Sequence, residues 1–272
     1  MVPKERSVIK IMLSDPTYNP RDRASIAYGR YQKIIDTVAR PGTTVDFTSL
    51  KEGYFMSVGT PYPDAVNAVG MAERAYEAEK KGYDAFIIGC VWDVGLREAR
   101  SLVKIPVTAP TESTALLAWT LGRKFSVIAG SSPKALKYRD LIQRYGLGDK
   151  LASVRCPPEF TAGTDPDFEL IFGEEREQRE FIEIVTAEMR KAVKEDSAEV
   201  VWYACTLGAT LLTMHGVYEV DGAVIMDAFV AALKIAEVMV DIHRAYGTAV
   251  CRASIYQAPM LGWEKERPIA LD

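Results

Sequence analysis

The heptapeptide DAFIIGC, residues 84–90, sets an acidic residue before a short apolar run that ends in glycine and cysteine. The same grammar returns in AEVVWYAC, residues 198–205. Apolar runs of this length suit strands buried on both faces of a parallel sheet and are too short for a core helix. An Ala/Glu-rich stretch of helical spacing, residues 63–83, precedes the first run, and EREQREFIEIVTAEMRKAVKED, residues 175–196, precedes the second. Each run is followed by another helical segment, DVGLREARSLV (93–103) and TLGATLLTMHG (206–216). Long helix, short strand ending in cysteine, helix: the unit occurs twice, and its two cysteines stand 115 residues apart.

Outward from these two anchors the alternation continues. SVIKIML (7–13) reads as a strand broken by SDPTYNP (14–20), SIAYGRYQKIIDTVA (25–39) as a helix, and PGTTVDFTSL (41–50) as extended. IPVTAP (105–110), KFSVIAG (124–130), SVRC (153–156) and GAVIMDA (222–228) read as further strands. TESTALLAWTLG (111–122), PKALKYRDLIQRYG (133–146) and FVAALKIAEVMVDIHRAYG (229–247) read as helices. The irregular stretch 157–173 and the tail 244–272 read as solvated loops. Strand–helix alternation predicts an α/β fold of two similar lobes. Each is a mainly parallel sheet flanked by helices, the two related by a pseudo-twofold axis with a cleft between them. Residues 1–117, completed by the C-terminal helix within 228–272, form one lobe and residues 118–227 the other.

The 272 residues are 48% hydrophobic and 26% charged, with a formal net charge of -4, which gives no electrostatic footprint for nucleic acid or an anionic membrane. No apolar stretch approaches the roughly 18 residues of a membrane span. The N-terminus MVPKERSVIKIML lacks a small-residue cleavage site and leads straight into a strand, so a cytoplasmic location is expected. The four cysteines, Cys90, Cys156, Cys205 and Cys251, show no CxxC spacing, and the chain has only two histidines. Neither a zinc site nor a disulfide framework is expected.

Ligands of open parallel sheets bind beyond the carboxyl ends of the strands. Cys90 and Cys205 are placed there, each before a helix, so two related lobes would present a sulfur to either side of one ligand. A thiolate that removes a proton and a thiol that returns one on the opposite face exchange roles with the direction of reaction. A helix N-terminus lowers a thiol pKa from roughly 8.5 and holds developing negative charge. Cys156 and Cys251 lack this setting and read as core residues, as do Trp202 and Tyr203.

GCVWDVGLREAR (89–100), followed by IPVTAPTESTALLAWTLGRKFSVIAG (105–130), resembles the hydantoin racemase branch of the aspartate/glutamate racemase superfamily. Cys90, Asp93, Gly95, Leu96, Pro106, Val107, Glu112, Leu121, Gly122, Phe125, Ser126 and Val127 carry the likeness, and YACTLGATLL (203–212) resembles the family's second cysteine segment. The resemblance, over about residues 8–243, implies two pseudo-symmetric lobes, no cofactor and no metal, a small-molecule substrate and a homo-oligomer. It implies Cys90 and Cys205 as paired acid and base, with Asp15, Thr17, Val91, Trp92, Thr111, Thr206 and Leu207 around the substrate. Asp15-Pro16-Thr17-Tyr18 replaces the branch's Asn-Pro-Asn-Thr, and its aspartate is similar to the acid that assists a cysteine in amino-acid racemases. Val91-Trp92 and Thr206-Leu207 also depart from the branch pattern. The expected activity is racemisation or isomerisation next to a carbonyl of a hydantoin-like or amino-acid-like substrate. A cysteine-dependent decarboxylase, cis–trans isomerase or C–N bond-cleaving enzyme is the alternative, and a two-lobed small-molecule binding protein stands further off.

Overall fold

Runs of β-branched and aromatic residues that alternate with Ala-rich amphipathic segments leave the chain one economical arrangement, helices laid over parallel strands. The computed structural model describes residues 8–18, 21–160, 166–248, 250–253, 256–257, 263–266 and 268–269. It divides into two units, Met1–Ala109 with Leu233–Asp272, and Pro110–Ala232.

In the first unit the strands β1 (Ile9–Tyr18), β2 (Thr43–Leu50), β3 (Ala85–Ile88) and β4 (Val107–Thr108) form one sheet in the order β2-β1-β3-β4, paired in parallel throughout. The connecting helices are α1 (Arg21–Val38), α2 (Pro61–Lys80) and α3 (Leu96–Leu102). Ile11, Leu13, Phe86, Ile87 and Ile88 are fully buried, as expected of strands covered on both faces. The sequence SDPTY does not break β1: the strand runs on to Tyr18, with a register shift between Asp15 and Tyr18. A bulge is where a sheet tolerates a proline, because the ladder needs no N–H from it there.

In the second unit α4 (Pro110–Leu121) leads into β5 (Phe125–Ile128), α5 (Ser132–Arg144) and β6 (Leu151–Arg155). Then come α6 (Pro166–Phe172), α7 (Glu175–Asp196), β7 (Val200–Tyr203), α8 (Thr206–Met214), β8 (Glu219–Val220) and β9 (Ala223–Met226). The sheet order is β6-β5-β7-β9-β8, parallel except for the β8–β9 hairpin at its edge. α9 (Ala228–Tyr246) closes the alternation. Each sheet is thus mostly parallel and flanked by helices.

The stretch read as irregular, 157–173, contains a 3-10 turn at Pro158–Phe160 and the helix α6, while residues 161–165 lie outside the described residues. Pro166 opens α6 and Asp167 and Glu169 occupy its first turn, the residue types that suit a helix N-terminus. The tail is described only in part. Within it the Arg252 guanidinium donates to the carbonyls of Arg100, Ser101 and Val103, satisfying acceptors left open at the end of α3.

Candidate active site

The carboxyl edge of the first sheet is organised by a glycine. Ser14 pairs with Ile88, and the Gly89 N–H donates to the Ser14 carbonyl at 2.8 Å, so Asp15 and Cys90 leave adjacent strands at the same edge. A Cβ at position 89 would lie 3.1 Å from Asp15 Oδ1 and 3.1 Å from the Ser14 carbonyl oxygen. The bare Gly89 therefore lets the Asp15 carboxyl approach the residue that carries Cys90. Burial pushes the Asp15 carboxyl up from 3.8 to about 7, because its charged form loses hydration. Nearby Tyr28, stacked on Phe47 at 5.0 Å, is raised to about 12 by burial and by the Asp15 charge. Thr17 is half-buried two residues along β1 from Asp15.

The 51–60 segment is fastened over this corner. Asn67, fully buried on α2, donates to the carbonyls of Pro16 (2.7 Å) and Phe55 (3.2 Å) and accepts from the Phe55 N–H (3.0 Å). The Phe55 carbonyl also accepts from Tyr18 N–H at 3.0 Å. Trp92 is buried beneath this segment, its Nε1 3.7 Å from where a Gly59 Cβ would stand, and Val91 is buried beside it. Val91 and Trp92 are thus both held among protein atoms.

Cys90 itself is partly exposed. A turn follows it, closed by Asp93 N–H on the Cys90 carbonyl at 3.0 Å, with Asp93 at φ 50° and Gly95 at φ 80°. A Cβ on Gly95 would meet Met71 and Ala68 at 2.8 and 2.9 Å, so only glycine fits this crossing. The turn separates Cys90 from the seven-residue α3. The sequence expectation that each cysteine abuts a helix therefore fails for Cys90.

Cys205 does abut one. It is the N-cap residue of α8, with extended backbone. The Gly208 and Leu207 amides pull its thiol down, but burial outweighs them and the Asp167 charge adds to it, so the thiol is pushed up to about 11. This corrects the expectation that the helix N-terminus lowers the pKa: desolvation of a thiolate is the larger effect here. Tyr203, two residues earlier on β7, is fully buried and donates from its hydroxyl to Asp167 Oδ2 at 2.7 Å. Lys134 Nζ lies 3.7 Å from Asp167 Oδ1. Gly130, at the end of β5, makes room: a Cβ there would stand 2.2 Å from Asp167 Oδ2 and 3.0 Å from the Tyr203 hydroxyl.

Of the remaining residues expected near the substrate, Thr111 is fully buried in the first turn of α4 and Thr206 is buried at the start of α8. Leu207 packs against the apolar core that includes Phe181, Tyr203 and Leu211. The first unit therefore gathers Asp15, Thr17, Cys90, Val91 and Trp92 at one sheet edge, and the second holds Thr111, Cys205, Thr206 and Leu207. Tyr28, Lys134 and Asp167 escaped the sequence reading, and Tyr203 was read as core alone. The one visible signal was Gly130, since a glycine closing a strand at a sheet's carboxyl edge marks a close approach. Of the two cysteines read as core, the structure leaves Cys156 half-buried and Cys251 exposed. Among the described residues no three His, Cys, Asp or Glu side chains come together as a metal site, and no helix is long and apolar enough to cross a membrane.

Comparison with known proteins agrees with this layout. Residues 27–224, well over half the chain, match the family model described as Asp/Glu/Hydantoin racemase. A hydantoin racemase of Pseudomonas sp. (strain NS671) is 29% identical over 227 residues, 83% of this chain and 85% of the relative. A hydantoin racemase of Rhizobium meliloti is 27% identical over 73% of this chain and 76% of its own length. Among solved structures, the allantoin racemase of Klebsiella pneumoniae shares the fold with a TM-score of 0.76, at 23% identity over 92% of this chain and 94% of its own. The chain belongs to the Asp/Glu/hydantoin racemase family.

Proposed function

We propose that the protein is a cofactor-independent racemase that inverts a carbon next to a carbonyl in a hydantoin-like or amino-acid-like substrate, with Cys90 and Cys205 as the paired acid and base. One observation carries the reading furthest: Asp15, a carboxyl held at about 7, stands at the sheet edge against the residue before Cys90. A group that titrates near neutral pH is suited to exchange protons with a thiol. In the forward direction Cys90 enters as thiolate, Asp15 having taken its proton. The substrate C–H bond breaks, an S–H bond forms on Cys90, and the electron pair delocalises onto the adjacent carbonyl oxygen. The Cys205 S–H bond then breaks as a proton is delivered to the opposite face of the carbon. The reverse sequence serves the other enantiomer. This mechanism requires one sulfur on either face of the substrate carbon, and the repeated strand–cysteine setting supports that pairing. Self-association belongs to the same proposal, supported by the exposed Leu116, Trp119 and Leu121 of α4.

The test is incubation of single enantiomers of 5-substituted hydantoins and amino acids in deuterium oxide, read by chiral chromatography and mass spectrometry. Wild-type protein yields racemate carrying deuterium at the inverted carbon, and Cys90→Ser and Cys205→Ser each lose at least ~10²-fold, the contribution of a positioned acid or base. A covalent substrate adduct on the wild-type chain, with no deuterium in recovered substrate, would mark a nucleophilic mechanism and overturn the proposal.

A further inference from the structure

We propose that the buried Asp167, held by Tyr203 at the end of β7 and faced by the half-buried Lys134, forms with them a charge relay that sets the protonation of Cys205. The inference rests on the racemase reading for its consequence, but its geometry lies wholly within the second unit. Tyr203 closes β7 and Cys205 follows two residues on as the N-cap of α8, packed against the same apolar cluster that holds the Tyr203 ring. The Tyr203 ring is pressed against the first turn of α8: a Cβ on Gly208 would meet ring atoms at 2.6 Å. Its hydroxyl reaches Asp167 at 2.7 Å, and Asp167 in turn faces the Lys134 ammonium at 3.7 Å. Two glycines, Gly130 and Gly208, leave the volume these side chains occupy.

Such an arrangement is costly for packing alone. Asp167 is 1% exposed and Tyr203 fully buried, so both polar groups give up water. An apolar pair of the same shape would fill the space without that penalty. What the polar set adds is field at the nearby sulfur. The carboxylate opposes a thiolate on Cys205 and the ammonium favours it, the two acting with opposite sign. Burial holds the Tyr203 hydroxyl protonated, and the Asp167 and Cys205 charges add to that effect. The other titratable groups around this pocket are Tyr138 on α5, which faces Tyr203, and Cys156 after β6. Glu188 of α7 acts on Cys156 and is already engaged with Arg155 and Lys191.

The consequence is an asymmetric pair. Cys205 rests as a thiol, ready to give its proton to a carbanion, and Lys134 with the α8 amides steadies the thiolate left behind. Asp167 and Lys134 are positioning residues that act through the sulfur and need not touch substrate.

The experiment is pH-dependent iodoacetamide labelling of the full chain, with each cysteine followed by peptide mass spectrometry. Asp167→Asn removes the opposing charge and lowers the pH midpoint for Cys205, giving about tenfold faster labelling for each unit moved. Lys134→Met raises the midpoint. Cys90 keeps its profile in both and serves as the internal reference. Should Asp167→Asn fail to fold, Lys134→Met alone decides by slower labelling of Cys205 at fixed pH. An unmoved Cys205 midpoint, or midpoints displaced in the same direction by both substitutions, would overturn the relay and leave a packing role. Labelling needs no turnover. Displaced midpoints in a protein that racemises nothing would sink the racemase reading while the relay stood.

Discussion

Replacing Asp15 with asparagine separates the cost of the first unit's carboxyl from its use. Burial raises this carboxyl from 3.8 to about 7, so the folded protein binds its proton more tightly than the unfolded chain does. The sign follows from linkage. Below the unfolded value near 4 the carboxyl is protonated in both states and costs nothing. Between 4 and 7 the unfolded chain ionises while the folded one resists, and stability falls as pH rises. Above 7 both states are ionised and the full penalty is in place. About three pH units at ~1.4 kcal/mol each set a ceiling of ~4 kcal/mol. Asp15 keeps some exposure, so solvent screening reduces this to roughly 2 kcal/mol. Asparagine has nearly the same shape and does not ionise. Asp15→Asn should therefore match wild type at pH 4 and exceed it by about 2 kcal/mol at pH 8, while losing racemisation by at least ~10²-fold. Urea unfolding at pH 4, 6 and 8, followed by tryptophan fluorescence, measures the difference. A variant no more stable than wild type at pH 8, or an advantage already complete at pH 4, would refute a carboxyl held out of water at the site.

Two further substitutions probe how the corners are built. Gly130→Ala drives a methyl group to 2.2 Å from Asp167 Oδ2, so the carboxylate must leave Tyr203; a loss of ~1–3 kcal/mol is expected in calorimetry, with a change in the pH profile of Cys205 labelling. Asn67→Ala removes the side chain that binds Pro16 and both backbone groups of Phe55, and should cost ~1–3 kcal/mol while hydrogen exchange quickens in the 51–60 segment. Exchange there at the wild-type rate would show that the segment is held by other contacts.

Much of the architecture was present in local sequence. Ala85–Ile88 and Val200–Tyr203 are strands because short β-branched and aromatic runs between long helices have no other way to bury both faces. The positions of Cys90 and Cys205 at strand ends follow from the same pattern, and Asp15 from its likeness to the acid that assists a cysteine in amino-acid racemases. What local sequence left open depended on partners. β1 continues through Pro16 because β2 and Phe55 supply its pairing, and the two-residue β8 exists only as the edge of a hairpin with β9. Glu219–Val220 is too short to carry a periodicity of its own. The chemistry of the thiols lay further still from the sequence. Cys205 caps a helix, as its position before TLGATLL suggests, yet its proton is held by burial and by Asp167, 38 residues earlier in the chain. Composition and periodicity record which side chains are apolar, and so they determined the layers of this protein. The energy of a charge depends on how much water and which opposite charges surround it, and only the tertiary structure decided that.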